Sequence, residues 1–182
     1  MKTLISLFFL LAIVSVSNAQ NFRKTDKSPM DMAYFPDNFA HDRTDGEEAI
    51  IRVTYSRPFK NNREVFGGII PYDEVWRTGA NEAAEIKLYK DIQVDGKQLA
   101  KGSYSLFTIP GESEWTIIFN AGLDYWGAYS YNKEDDVLRV NAQSTSRTEV
   151  VENFTIQFSG SDGHGVMYLS WDKTVVEVPF SY

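Results

Sequence analysis

Ile92–Phe119, IQVDGKQLAKGSYSLFTIPGESEWTIIF, decides how the rest of the chain is read. Ile92–Val94 and Lys97–Leu99 flank Asp95-Gly96. That dipeptide signals a two-residue hairpin, because both central residues of the turn take positive φ. Tyr104–Ile109 follows as a strand-length apolar run stopped by Pro110-Gly111, and Trp115–Phe119 returns from that turn. Short apolar runs punctuated by turn residues, with no helical spacing between them, predict antiparallel β-structure.

The same grammar extends in both directions. Ala49, Ile51, Val53 and Tyr55 alternate with Ile50, Arg52 and Thr54, until Pro58 ends the run. Ile86 and Leu88 alternate with Glu85 and Lys87. Val137–Ala142, Val150–Ser159, Val166–Trp171 and Thr174–Phe180 read as four further strands. No apolar period of 3.6 persists over three turns, although one turn of helix fits Asp73–Trp76. The fold class expected is therefore all-β: about ten short strands in a single-domain antiparallel sandwich or jelly roll, over residues 48–182. Residues 20–47, with Pro29, Pro36 and Gly46, read as an irregular N-terminal arm pinned by Met30, Met32, Tyr34, Phe35 and Phe39. Two connections, Phe59–Ala83 and Ala121–Asp136, exceed hairpin length, and long ordered loops on a rigid scaffold are where sites tend to lie.

Composition removes several chemistries. The 182 residues carry a formal charge of −7, which gives no bulk attraction for nucleic acid. Hydrophobic residues at 43% and aromatic residues at 14% supply a core. With no cysteine, disulfides, thiolate catalysis and lipid attachment at cysteine are excluded. Lys2, the apolar run Leu4–Val16 and the small residues around Ser17-Asn18-Ala19 form a secretory signal-peptide pattern at residues 1–19. That run is shorter than the roughly 20 residues a spanning helix needs. The expected product begins at Gln20, has no transmembrane segment and resides in the periplasm or outside the cell.

The long connections carry a dense series of marked residues: Tyr55-Ser56-Arg57-Pro58, Val65-Phe66-Gly67-Gly68, and Pro71-Tyr72-Asp73-Glu74-Val75-Trp76-Arg77-Thr78-Gly79-Ala80-Asn81-Glu82-Ala83. Gly102–Pro110, Trp115–Asn120, Trp126-Gly127-Ala128-Tyr129 and Trp171 complete it. From about Ser28 to Pro179 this series resembles the DUF2911 family, and the block Val75–Ala83 is its most specific part. The resemblance implies an exported β-rich domain of the kind found largely in Bacteroidota, and it implies no biochemical role.

The residues themselves leave several readings open. Arg57 and Arg77 offer planar donor forks suited to carboxylate or phosphate, or to tying loop carbonyls together. Asn81 could orient a sugar hydroxyl or close a turn through its own backbone. Trp126 and Tyr129 could stack on a sugar ring, whereas Trp115, in an apolar strand, reads as core. Glu82 with Asp124 or Asp73 could form an acid–base pair. Glu134-Asp135-Asp136 lacks the spacing of a calcium loop and reads as a solvated turn, so no metal is expected. His41 and His164 are the only histidines, and no nucleophile elbow, phosphate loop or cofactor motif is present, so no cofactor is expected either.

Three functions follow. The favoured one is a non-catalytic binding module for a glycan fragment or small anion, with Arg57, Arg77, Asn81, Trp126 and Tyr129 around one site. The alternatives are a structural or protein-interaction domain and a carboxylate-based glycoside hydrolase.

Overall fold

The computed structural model describes residues 20–182, so the expected signal peptide lies outside the described residues. The structure is almost entirely antiparallel β. Its strands are β1 (Met30–Phe35), β2 (Ile51–Ser56), β3 (Ala84–Leu88), β4 (Ile92–Val94), β5 (Lys97–Leu99), β6 (Gly102–Ile109), β7 (Glu114–Asn120), β8 (Asp136–Ser161) and β9 (His164–Ser181). They are ordered β1-β2-β3-β6-β7-β8-β9-β4-β5. One short helix, α1 (Phe39–Asp42), and a 3-10 turn at Lys133–Asp135 are the helical pieces among the described residues.

The hairpin signals act as their chemistry requires. Asp95 and Gly96 take φ of 52° and 69°, and Val94 pairs with Lys97 across them. Asp162 and Gly163 do the same between β8 and β9, with His164 exposed at the tip.

Three readings of the chain change. Residues 30–35, expected as irregular arm, form an edge strand in register with β2, Met32 opposite Thr54. The stretch lacks β-branched residues and lies between two prolines, so its strand state comes from pairing with β2 rather than from intrinsic preference. The four C-terminal runs are two long strands, because the polar residues between them keep pairing: Ser144–Ser146 lie opposite Thr174–Val176, with register shifts around Val151. The helical turn at Asp73–Trp76 is absent, and Trp76 instead bridges Thr108 of β6.

β8 carries the chain from one half of the sheet to the other. Its first part pairs with β7 and its second with β9. The two halves bury one core between them, so Tyr55 of β2 reaches Ile156 of β8, and Phe35 of β1 packs on Phe158 and Phe180. At its centre Phe66, Trp76, Trp115, Phe154 and Trp171 interlock mostly edge to face, the arrangement favoured by ring quadrupoles. Trp115 is core, 1% exposed.

A second buried layer lies on the other face of the same sheet. Alternation turns Leu106 inward and Phe107 outward, yet Phe107 and Ile118 are each 0% exposed and stand outside the main core. The connection between β7 and β8 folds over them. Its Tyr125 and Tyr131 rings lie 5.8 and 5.1 Å from the Phe107 ring.

Candidate functional site

The first long connection is drawn onto the sheet by its apolar residues. Val65, Phe66 and Trp76 enter the core, and Trp76 exchanges two backbone hydrogen bonds with Thr108. The chain then makes a tight excursion, closed where the Ala84 N–H donates to the Arg77 carbonyl at 3.0 Å. Inside it, the Trp76 indole N–H donates to the Gly79 carbonyl at 3.1 Å, and the Thr78 hydroxyl bonds the Thr108 hydroxyl at 3.2 Å. Gly79 lies so close to β2 that a Cβ there would stand 2.9 Å from the Ser56 carbonyl oxygen. Thr78 is fully buried with φ of 53°, a left-handed conformation that a β-branched residue adopts only when its surroundings impose it.

The second connection is held by Asn120, which ends β7 with its side chain buried. Its amide donates to the Asn132 carbonyl at 2.9 Å and to Asp136 Oδ1 at 2.8 Å, and its carbonyl accepts the Gly122 N–H at 2.9 Å. The Tyr131 hydroxyl donates to Asp136 Oδ2 at 2.6 Å, and Arg139 lies 3.4 Å from the same oxygen. Burial, reinforced by the hydrogen bond to Asp136 and by its charge, pushes the Tyr131 phenol up to about 12. Asp136, read from sequence as part of a solvated acidic turn, is thus bound into this network. The signal for Asn120 was a single polar residue closing an apolar strand just before Ala121-Gly122.

The two connections meet. The Ala83 N–H donates to the Tyr125 carbonyl and the Gly127 N–H to the Asn81 carbonyl, both at 2.9 Å, while Glu82 and Trp126 form an isolated bridge. Gly127 has φ of 70°, and the Tyr129 ring lies over it, 2.7 Å from where a Cβ would be. Trp126 and Tyr129 are 62% and 87% exposed. The fold therefore brings Arg77, Asn81, Trp126 and Tyr129 to one junction.

Arg77 is half-buried there. Its Nε is buried with no hydrogen-bond partner, and among the described residues its guanidinium has no ion-pair partner. Burial lowers its pKa and the nearby Tyr129 phenol raises it. A guanidinium stays charged through such changes, so this one is a half-buried cation with one sealed, unbonded nitrogen, a state that the Arg52 and Arg139 Nε atoms share, and no counter-ion among the described residues.

Arg57 is differently placed. Its Nε donates to the Phe154 carbonyl at 3.0 Å, Nη1 to Asp31 at 2.9 Å and Nη2 to the Thr155 hydroxyl at 2.8 Å. Beside it the Tyr55 hydroxyl donates to the Ile156 carbonyl and accepts the Ile156 N–H. These two side chains of the β2 region satisfy the edge of β8 that faces β1, so Arg57 binds the two halves of the sheet together.

The carboxylates divide. Glu82 and Asp124, both exposed, line one 210 Å³ depression with Glu85, Met30, Thr54 and Tyr125, while Asp73 lies elsewhere, its N–H on the Pro110 carbonyl. No group of three acidic or histidine residues among the described residues is arranged to hold a metal. His41 is exposed and hydrogen-bonded to Asp42. Among the described residues no helix is long and apolar enough to cross a membrane.

A family model described as a protein of unknown function, DUF2911, matches residues 36–180. No curated protein and no solved structure matches the chain.

Proposed function

The chain belongs to the DUF2911 family, whose description assigns no activity, and from that premise we propose a non-catalytic binding module for an anionic small molecule or glycan fragment, acting outside the cytoplasm. The observation that carries the reading is Arg77: a half-buried cation with no counter-ion among the described residues, at the point where two long connections join. Leaving a guanidinium partly desolvated and unpaired is unfavourable in the free protein, and an anion arriving there removes that cost. Exposed Trp126 and Tyr129 beside it give flat apolar faces for a sugar ring, and the Asn81 amide gives polar direction.

An interaction role draws less support from the strand edges. The free edge of β8 is closed by Tyr55 and Arg57, and on β1 the Met32 N–H is held by its neighbour Asp31 at 2.8 Å. Both devices hinder pairing with another chain. A hydrolase would draw on Glu82 and Asp124, both of which are exposed to solvent.

The test is a panel of neutral and acidic sugars and small anions, read by ligand-induced thermal shift. Combining Arg77→Met with Trp126→Ala should abolish the shift while far-ultraviolet circular dichroism stays unchanged. A panel that produces no shift with the native protein, or a shift that survives the double substitution, overturns the reading.

A further inference from the structure

The chain between β1 and β2 wraps around a cavity of its own. This segment is tied down along its length. The Ile50 N–H donates to the Phe35 carbonyl at 2.8 Å, and the Tyr89 N–H to the Ile50 carbonyl at 2.9 Å. α1 closes where the Arg43 N–H donates to the Phe39 carbonyl at 2.9 Å. The turn after it is closed from both sides: the Glu47 N–H donates to the Thr44 carbonyl at 3.2 Å, and the Thr44 N–H to Glu47 Oε2 at 2.9 Å. The Phe39 ring lies 6.3 Å from the Tyr34 ring of β1, which fixes α1 against the sheet.

The cavity measures 560 Å³, and a second of 360 Å³ adjoins it across Phe39, Arg43, Glu47 and Glu48. Phe39 and Ile50, half-buried and buried, give the first an apolar floor. Its walls carry four exposed carboxylates, Asp37, Asp42, Glu47 and Glu48, and two exposed cations, Arg43 and Lys90. The second cavity adds the rings of Tyr34 and Tyr89. Among the described residues neither Arg43 nor Lys90 makes an ion pair. The Thr44 N–H first, then the Thr44 side chain and the Arg43 charge, hold the Glu47 carboxyl below the ordinary carboxylate range. Asp42 is engaged with His41 and Glu47 with Thr44, which leaves Asp37 and Glu48 as the free acids. One cavity therefore holds both signs of charge, unpaired with each other, above an aromatic floor.

We propose that this cavity is a second binding site, for a free α-amino acid with an aromatic side chain. Its ammonium meets Asp37 and Glu48, its carboxylate meets Arg43 and Lys90, and its ring lies along Phe39 toward Tyr34 and Tyr89. The charge pattern selects a zwitterion. A purely anionic ligand would face four carboxylates, and a purely cationic one would leave both cations unmet. Two charge-assisted contacts and a buried ring act together, within a space of the size that small-molecule sites occupy. The site does not rest on the reading of Arg77, whose junction is built from other residues.

The experiment titrates the full chain with L-phenylalanine, phenethylamine, phenylpropionate and L-alanine, followed by backbone NMR and calorimetry. L-phenylalanine should give saturable shifts at residues 36–50 and 89–90, in the range of about 0.1–5 mM, because exposed charges are screened by water. Phenethylamine lacks the carboxylate and phenylpropionate the ammonium, and each should bind about tenfold more weakly or worse. L-alanine lacks the ring and should lose about as much. Arg43→Gln combined with Lys90→Gln should weaken L-phenylalanine about tenfold and leave phenethylamine unweakened. Asp37→Asn combined with Glu48→Gln should do the reverse, sparing phenylpropionate. The spared probe shows in each case that the cavity is intact. Arg77→Met should change none of these affinities.

If L-phenylalanine gives no saturable shift below about 10 mM, the site falls and the reading of the junction is untouched. Either singly charged analogue binding as tightly as L-phenylalanine overturns the zwitterion, and an equal affinity for L-alanine overturns the aromatic side chain. Shifts centred on residues 76–83 and 125–129, or binding lost in Arg77→Met, would move the ligand to the junction and overturn the placement.

Discussion

At the seam between β2 and β8, Arg57 spends three of its donors on a backbone carbonyl, a hydroxyl and a carboxylate. At the junction of the two long connections, Arg77 buries its Nε against nothing that accepts it. Both arginines stand beside a long connection, and the local sequence around each reads the same way. The difference is one of partners, and partners come from elsewhere in the chain: Phe154 and Thr155 lie almost a hundred positions from Arg57. A fully bonded arginine is structure. A desolvated one without a counter-ion is a position where binding can gain energy.

The sharpest way to test that contrast begins with the frame of the junction. Asn120→Ala removes three side-chain hydrogen bonds and strands buried partners in the connection over Phe107. A loss of roughly 2–4 kcal/mol is expected in urea unfolding, together with faster amide exchange across residues 121–135. Next comes the seam. Arg57→Met should cost about 1.5–3 kcal/mol, mostly from the unmet Phe154 carbonyl and Thr155 hydroxyl. The ion pair with Asp31 is half-exposed and adds little to that.

A smaller effect is set by pH. The Tyr131 phenol is raised from 10.0 to about 12, so the folded state holds that proton more tightly than the unfolded one. Its contribution is fully present below about pH 10 and is lost as pH rises toward 12. Urea midpoints should therefore fall across that window, and Tyr131→Phe should flatten the fall. Smallest of all is Arg77→Met. Removing an unpartnered buried nitrogen while keeping an apolar stem should change stability by less than about 1 kcal/mol, with a gain as acceptable as a loss. A large destabilisation would show that Arg77, like Arg57, is part of the scaffold and would erase the comparison.

Much of the fold was legible because it depends on neighbours in sequence. Asp95-Gly96 and Asp162-Gly163 name their turns by backbone stereochemistry alone, and the alternation in Ile51–Ser56 names the face that is buried. β1 was not legible, since Met30–Phe35 becomes a strand only when β2 offers its edge. Nor was the unity of β8: its polar middle reads as a break, and long-range pairing with β9 overrides that reading. Within the candidate site, residue types and loop lengths marked Arg77, Asn81, Trp126 and Tyr129. Asn120 and Asp26, one holding the loop and the other touching Asn81, needed contacts that no local pattern encodes.

By itself, then, the sequence determined an antiparallel β chain with no cysteine chemistry and two unusually long connections, because turn stereochemistry, alternation and composition are properties of short segments. Only the tertiary structure decided which arginine is bonded and which is bare. A hydrogen bond or a counter-ion belongs to whichever distant segment folding brings within about 3 Å, and that proximity is a property of the packed whole.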